Sequence, residues 1–216
     1  MTYPTWQVSR ILILLACVAV CGCRTNSSPA PAPIDTTKVP VVPLPENGNP
    51  YAALDKSPLD ILYFPPDYPK LKMIGKASPL PMFRVIYSRP QKHGRPIFGS
   101  VVKYGEHWRL GANEATEIEF FEPVIIQKKE VPRGRYILYC IPQPEQWTLV
   151  LNSELYSWGL VVDTTKDVFK FTVPVVKMAN AIEAFTMEVE KDKDNNARLW
   201  IGWDKSKVVL PIKTLD

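Results

Sequence analysis

From about residue 70 onward, apolar and polar side chains alternate with a period of two along one short segment after another. Phe169, Phe171 and Val173 would share one face of such a segment, with Lys170 and Thr172 on the other. A β-strand places successive side chains on opposite faces, so this period predicts strands that are buried on one side. No stretch repeats apolar residues at a helical period over three turns. The alternation therefore predicts an all-β domain.

Runs of this kind recur roughly nine times and are separated by turn-forming residues, including a predicted turn over 204–206. The runs lie near residues 82–88, 116–121, 124–128, 135–141, 146–152, 168–174, 182–190, 197–203 and 207–212. Many short strands punctuated in this way are typical of a β-sandwich or a closed barrel. We predict an antiparallel β-sandwich, of jelly-roll or immunoglobulin-like form, for residues 70–216.

The N-terminus has the features of an export signal. Arg10 precedes an apolar run over residues 11–20, which is too short to span a bilayer, since a spanning helix takes about 20 residues. Because the small residue Gly22 directly precedes Cys23, residues 1–22 resemble a bacterial lipoprotein signal peptide. Cys23 is then the acylated first residue of the mature chain; the alternative is a plain secretory signal. We predict a lipid-anchored protein of the bacterial cell envelope, on the periplasmic or surface side of the membrane.

Proline dominates the segment that follows the predicted signal. Residues 23–50 contain seven prolines, and Ser, Thr, Asn and Ala fill most of the gaps between them. Such a composition cannot bury a core and predicts an extended tether. Residues 51–69 combine apolar side chains with four further prolines. We predict that they form an irregular lead-in that packs against the domain.

Cysteine content and charge narrow the classes of function. Cys17 and Cys21 lie in the predicted signal, which leaves Cys140 as the one cysteine of the mature domain besides the lipidated residue. No disulfide framework is therefore predicted, and Cys140, amid apolar strand residues, is predicted to be a buried hydrophobic side chain. The net charge of +4 is small and no stripe of Lys and Arg appears, which argues against a nucleic-acid partner.

The longest interval between predicted strands runs from residue 89 to about 115. A connection of this length inside a compact domain is either functional or packed as a lid. It is rich in guanidinium groups, aromatic rings and turn-forming polar residues. The candidate ligand-binding residues are Arg89, Arg95, Tyr104, Trp108, Arg109, Asn113 and Glu114.

Two interpretations of the 89–116 segment stay open. In the first it is a rigid lid, in which Arg109 and Glu114 form a bidentate pair, Asn113 adopts a left-handed turn and Trp108 closes one end of the sandwich. In the second, guanidinium groups beside aromatic rings bind a sugar, a peptide carboxylate or another anion, or a protein partner. Replacing Trp108 with Ala separates the two, because only the lid interpretation expects a large fall in Tm.

Signals for catalysis are weaker. The two histidines, His93 and His107, fit no HExxH motif, and a zinc hydrolase needs three protein ligands. Glu117 and Glu119 lie on one side of one strand, which is typical of a solvated face rather than a glycosidase pair. We predict a binding or structural module with no metal and no cofactor. The alternative is an enzyme that acts on envelope carbohydrates or peptides through the 89–116 segment.

A series of short motifs runs in order through the domain. It comprises Tyr87-Ser88-Arg89-Pro90, Gly94-Arg95, Tyr104-Gly105, Trp108-Arg109, the run Gly-Ala-Asn-Glu-Ala-Thr at 111–116, Ile141-Pro142, Trp147-Thr148 and Trp158-Gly159. Together these motifs resemble the DUF2911 family of bacterial exported proteins, many of them lipoproteins, over residues 70–213. The resemblance implies a β-sandwich-like domain and supplies no reaction. Leu110 stands where the family usually has threonine, and His107 stands where it has an apolar or variable residue, so no family role is implied for His107.

Overall fold

Two antiparallel sheets make up the computed structural model, which describes residues 55–215. In spatial order, the six-stranded sheet contains β1 (Leu59–Phe64), β2 (Phe83–Ser88), β3 (Glu117–Phe120), β6 (Gly134–Pro142), β7 (Gln146–Asn152) and β8 (Asp167–Pro174). The four-stranded sheet contains β5 (Lys129–Val131), β4 (Val124–Ile126), β10 (Ala197–Thr214) and β9 (Val176–Lys191). The predicted all-β antiparallel sandwich is confirmed.

Helices contribute little to the described chain. An α-helix, α1 (Tyr68–Met73), follows β1, and a 3-10 helix (Thr164–Lys166) precedes β8. Within residues 55–215, neither the length nor the hydropathy of any helix is enough for it to cross a membrane.

The core lies between the sheets and follows the predicted alternation. On β8, Phe171 and Val173 are buried while Lys170 and Thr172 are exposed. Each large apolar side chain buried in this way stabilises the fold by about 1.5–3 kcal/mol relative to an exposed one.

The outer face of the six-stranded sheet carries charged side chains, as predicted for Glu117 and Glu119. Arg84 and Glu119 lie opposite each other on β2 and β3 and form an ion pair of 2.8 Å. Glu117 lies 3.8 Å from the guanidinium of Arg135 on β6. Cross-strand pairs of opposite charge stabilise a solvent-facing sheet surface by a few tenths of a kcal/mol each.

The prediction of an irregular lead-in over residues 51–69 is wrong for most of the described part. β1 is a regular strand that pairs with β2 over all six of its residues. Pro58 and Pro65 flank the strand without interrupting it, so they remove no hydrogen bond from the ladder. Pro69 lies in the first turn of α1, where a backbone N–H would have no acceptor within the helix, so the helix loses no hydrogen bond. The prolines therefore mark the ends of regular elements.

The strands predicted at 197–203 and 207–212 are one continuous strand, β10. The predicted turn over 204–206 is wrong, because these residues form an irregularity in the pairing with β9, with register shifts on both sides of Asp204. Asp204 has a left-handed backbone (φ 49°), and its carboxylate pairs with Lys92 at 3.2 Å. A bulge of this kind bends a strand without ending it.

The strand predicted over residues 124–128 ends early, because its last two residues form a hairpin turn. Gln127 (φ 48°) and Lys128 (φ 65°) both have left-handed backbone, as a two-residue type I′ turn between β4 and β5 requires. The Gln127 side-chain amide donates to the backbone carbonyl of Thr172 at 2.6 Å. The turn was missed because it lacks the Asn-Gly or Asp-Gly pair that usually identifies this turn in a sequence.

Tyr87 on β2 links the two sheets. Its side chain is 1% exposed. Its hydroxyl accepts from the backbone N–H of Met187 at 3.1 Å and lies 3.2 Å from the Met187 carbonyl, on β9. Burial raises the pKa of Tyr87 to about 12, and the hydrogen bond with Met187 opposes this shift.

Replacing Tyr87 with Phe is expected to lower the free energy of unfolding at pH 7 by about 1–2 kcal/mol, because the backbone groups of Met187 lose their partner. The folded-state pKa lies above the ordinary tyrosine value of 10.0, so the wild-type contribution is complete below pH 10 and is lost as pH rises through about 12. Urea denaturation at pH 7 and pH 11 should therefore show a smaller difference between variant and wild type at pH 11. The Tyr63 hydroxyl makes no hydrogen bond within residues 55–215, and Tyr63→Phe is the matched control. Equal losses in the two variants would contradict the assignment.

Candidate functional site

The connection over residues 89–116 contains no strand or helix in the structure described here, as predicted, and it is anchored to both sheets. Gln91 forms an isolated bridge with Ala184 on β9, and Trp108 forms one with Cys140 on β6. The second bridge exists because β3 pairs with β6 only as far as Ile137, which leaves the rest of that edge of β6 free. Backbone bonds of 2.7 and 2.8 Å between Trp108 and Cys140 fill this edge.

The Trp108 side chain lies in an aromatic cluster between the sheets. Its indole is 8% exposed. The ring centroids lie 5.1 Å from Phe185, 5.8 Å from Phe98 and Trp147, and 5.9 Å from Trp203. Trp108 therefore packs as a core residue and holds the 89–116 connection to the sandwich, as the lid interpretation expects.

Cys140 is buried and free, as predicted. Burial raises the pKa of its thiol well above the ordinary value, which keeps it in the neutral, unreactive form.

A pocket of about 490 Å³ lies beside the aromatic cluster, between the 89–116 connection and the β7–β8 loop (residues 153–163). Its volume is within the range of small-molecule sites. Trp108 and Trp203, whose rings stack at an angle of 18°, belong to the buried part of its lining. Arg95, His107 and Arg109 contribute charged or polar side chains to its more exposed part.

Arg109 is held by the β7–β8 loop. Its Nη1 donates to the backbone carbonyl of Trp158 at 3.0 Å, and its guanidinium lies 5.9 Å from the centre of the Trp158 ring. The predicted bidentate pair with Glu114 does not form: the two residues share no ion pair or hydrogen bond, since the Trp158 carbonyl takes that role. Burial lowers the pKa of Arg109, and the charge of Glu114 opposes the shift. The guanidinium nevertheless stays protonated at neutral pH.

Arg95 and His107 are oriented by backbone carbonyls. Arg95 donates from Nε to Lys92 at 2.9 Å and from Nη2 to Gln91 at 2.7 Å. His107 Nε2 lies 2.9 Å from the carbonyl of Leu160 in the β7–β8 loop. Because a carbonyl only accepts, Nε2 carries the proton and Nδ1 is left for another partner.

A buried polar network holds the β7–β8 loop in position. The Asp167 carboxylate accepts from the Tyr139 hydroxyl and from Asn152 Nδ2, both at 2.9 Å. Asn152 also donates to the carbonyl of Asp163 and accepts from the backbone N–H of Glu154. Burial raises the pKa of Tyr139, and the hydrogen bond to Asp167 acts in the same direction. The network ties both ends of the loop to strands β6, β7 and β8 of the six-stranded sheet.

Three of the seven predicted residues line the pocket, namely Arg95, Trp108 and Arg109. The other four lie outside it: Arg89, Tyr104, Asn113 and Glu114. Arg89 pairs with Asp60 of β1 at 3.1 Å. Asn113 has the predicted left-handed backbone (φ 58°), and its side chain donates to Asp55 at 2.8 Å. These two residues fasten the connection to the segment that precedes and includes β1.

A model of the DUF2911 family, described as a protein of unknown function, matches residues 71–212. The chain belongs to the DUF2911 family. No curated protein and no solved structure matches the chain. The matched range includes the 89–116 connection and the β7–β8 loop, and it contains every residue that lines the pocket except Ser57. Strand β1 lies before the matched range and completes the edge of the six-stranded sheet.

The β7–β8 loop of this DUF2911 protein was not predicted as part of the site. It begins 37 positions after the 89–116 connection ends (153 − 116), and only the tertiary structure brings the two together. One signal was available, since the loop exposes Tyr156, Trp158, Leu160 and Val161 by 82%, 53%, 64% and 82%. Large apolar side chains this close together on a surface loop indicate an interaction surface.

No three His, Cys, Asp or Glu side chains among residues 55–215 of the DUF2911 protein are grouped so as to hold a metal ion. The pocket lining contains guanidinium groups, an imidazole and aromatic surface.

Proposed function

We propose that this DUF2911 protein is a lipid-anchored binding module of the bacterial cell envelope, and that the pocket between the 89–116 connection and the β7–β8 loop is its ligand site. One observation carries the proposal. Two guanidinium groups and a histidine of the 89–116 connection share the lining of one pocket of about 490 Å³ with a stacked tryptophan pair, whose second ring, Trp203, comes from β10.

Packing explains only part of the 89–116 connection. Trp108 packs in the aromatic cluster, and the side chain of Asn113 is hydrogen-bonded to Asp55. Arg95 and His107 are exposed and Arg109 is half-buried, so these three side chains lie outside the hydrophobic core. Polar groups held in place at the end of a rigid sheet scaffold are typical of binding loops. The lid and binding interpretations therefore apply to different residues of one segment.

The lipid anchor is proposed from the sequence, because residues 1–54 lie outside the described part of the chain. An apolar core followed by Gly22 and Cys23 supports acylation of Cys23. The proline-rich residues 23–50 support a tether that holds the pocket away from the membrane surface.

Replacing Cys23 with Ser is expected to abolish acylation, because a hydroxyl does not take the thioether-linked lipid of a lipoprotein. The full-length protein is produced in a bacterial host in the presence of an alkyne-tagged fatty acid, and the incorporated label is measured on a gel. Cys17→Ser is the control, since Cys17 lies within the predicted signal and is removed with it. Undiminished label in Cys23→Ser would remove the lipid-anchor part of the proposal.

Binding is tested by titrating the ¹⁵N-labelled domain with neutral sugars, short peptides and organic acids, and by recording the indole N–H signals. At least one class is expected to shift the Trp108 signal in a saturable way, because Trp108 lines the pocket. A panel in which no compound shifts it would contradict a ligand site at this pocket.

A further inference from the structure

Several hydrogen-bond donors that line the pocket have no acceptor within residues 55–215. Nε and Nη2 of Arg109 and Nη1 of Arg95 donate to no protein atom of the described residues, since the hydrogen bonds of these side chains use only their other nitrogens. The indole Nε1 of Trp108 also has no acceptor, whereas Nε1 of the adjacent Trp203 donates to Glu183 at 3.0 Å. Donors held in position without a partner favour a ligand that supplies acceptors.

The charge of the residues that line the pocket also favours a ligand with hydrogen-bond acceptors, and in particular an anion. Arg95 and Arg109 are both cationic at neutral pH. Glu106 is the one carboxylate in the lining, and Lys103 offsets its charge at 3.6 Å. A guanidinium binds a carboxylate through two parallel N–H···O bonds, which is the strongest neutral-pH hydrogen bonding available to this site.

The remaining lining is apolar. Trp108, Trp203, Val102 and Leu160 contribute aromatic and aliphatic surface next to the arginines. A small, strongly hydrated anion leaves this surface uncovered, while a ligand with an apolar body covers it and gains the free energy of burial.

We propose, on the basis of the function proposed above, that the pocket binds a carboxylate attached to a ring or an aliphatic body. Both a free organic acid and the C-terminus of a short peptide with an apolar last residue have this chemistry. Arg109 binds the carboxylate, Arg95 adds positive charge at the rim, and the apolar body contacts the tryptophan pair.

The probes are 3-phenylpropionate, its neutral carboxamide, N-acetyl-alanyl-phenylalanine and inorganic phosphate. Each is titrated into the ¹⁵N-labelled domain, and the Trp108 indole signal is assigned by its loss in Trp108→Phe. The carboxylate is expected to bind at least about tenfold more tightly than the carboxamide, since one charge-assisted hydrogen bond accounts for about a tenfold change in affinity. The ratio between 3-phenylpropionate and the acylated dipeptide then distinguishes the free acid from the peptide C-terminus.

Arg109→Gln is expected to weaken carboxylate binding at least about tenfold, while leaving carboxamide binding within about twofold. Arg135→Gln is the matched control, because Arg135 also lies over an aromatic ring, 6.0 Å from Tyr156, but does not line the pocket. It is expected to leave both affinities unchanged. If Arg109→Gln fails to fold, the exposed Arg95→Gln is used, with an expected loss of about threefold for an exposed charge.

Three results would overturn the inference. They are equal affinity for the carboxylate and the carboxamide, tighter binding of phosphate than of either carboxylate, and unchanged carboxylate affinity in the arginine variants. In each case the proposed binding function still stands if any compound of the wider panel shifts the Trp108 signal. That function fails separately, when no compound of the panel does so.

Discussion

Replacing Trp108 with Ala is expected to lower the free energy of unfolding by about 3–5 kcal/mol. The indole contacts four aromatic rings between the two sheets and is 8% exposed. Its removal leaves a cavity that the stacked and edge-on neighbours do not refill, because their positions are set by strands of both sheets. For a domain of this size the loss corresponds to a fall in Tm of about 6–20 °C. Differential scanning calorimetry measures it directly.

Trp158→Ala is the control for Trp108→Ala, since it removes the same side chain from a position that is 53% exposed. We expect its effect to stay below about 1 kcal/mol, as for most surface substitutions. Similar losses in the two variants would show that Trp108 does not have the buried environment described above.

The Trp108 result also bears on the two interpretations of the 89–116 connection. A large fall in Tm assigns Trp108 to packing, as the lid interpretation expected. It leaves Arg95 and Arg109 available for binding, because neither side chain enters the aromatic cluster. The affinity of the arginine variants and the stability of Trp108→Ala are therefore independent measurements on the same segment.

Replacing Gly159 with Ala is expected to lower the free energy of unfolding by about 2–5 kcal/mol. Gly159 has a left-handed backbone (φ 76°), and a Cβ there would lie 2.9 Å from the Cβ atoms of both Arg109 and Ala115. The left-handed conformation costs about 1–2 kcal/mol for a residue with a side chain, and forcing a methyl group into a filled space adds about 1–3 kcal/mol. Since Gly159 lies where the β7–β8 loop meets the 89–116 connection, the variant should also displace Arg109.

Gly94→Ala separates the conformational cost of the left-handed backbone from the steric cost of the added methyl group. Gly94 has nearly the same backbone angle (φ 71°), but a Cβ there would meet no atom within 4 Å. Its expected loss is therefore only the conformational part, about 1–2 kcal/mol. Urea denaturation of both variants gives the steric contribution as their difference. If Gly159→Ala is no less stable than Gly94→Ala, the two segments do not approach as closely as the structure shows.

The sequence predicted strands well where the signal was local. On β8 the alternation identifies the buried face because the side-chain period of a strand depends only on backbone geometry. The sequence prediction was wrong where a proline or an aspartate is compatible both with a loop and with the end or the bulge of a strand. Pro65 lies just after β1, which is a regular strand although the prolines predicted an irregular segment. Asp204 bends β10 without ending it, although a turn was predicted there.

Part of the candidate site was also predicted from features that are local in the sequence. The unusual length of the 89–116 connection and its arginine and aromatic content led to Arg95, Trp108 and Arg109. The expected partner of Arg109 was the nearby Glu114, because sequence proximity was the only guide available. The carbonyl of Trp158, 49 positions away, takes that place instead.

The sequence alone determined that the domain is an antiparallel sandwich, that it belongs with the DUF2911 proteins, and which long connection carries the distinctive chemistry. Each of these depends on residue order and on backbone periodicity, which are local properties. Only the tertiary structure decided that Trp108 is a core residue and that Arg109 lines a pocket bordered by the β7–β8 loop. Burial and hydrogen-bond pairing depend on which strands become neighbours, and that arrangement is settled by the packing of the two sheets as a whole.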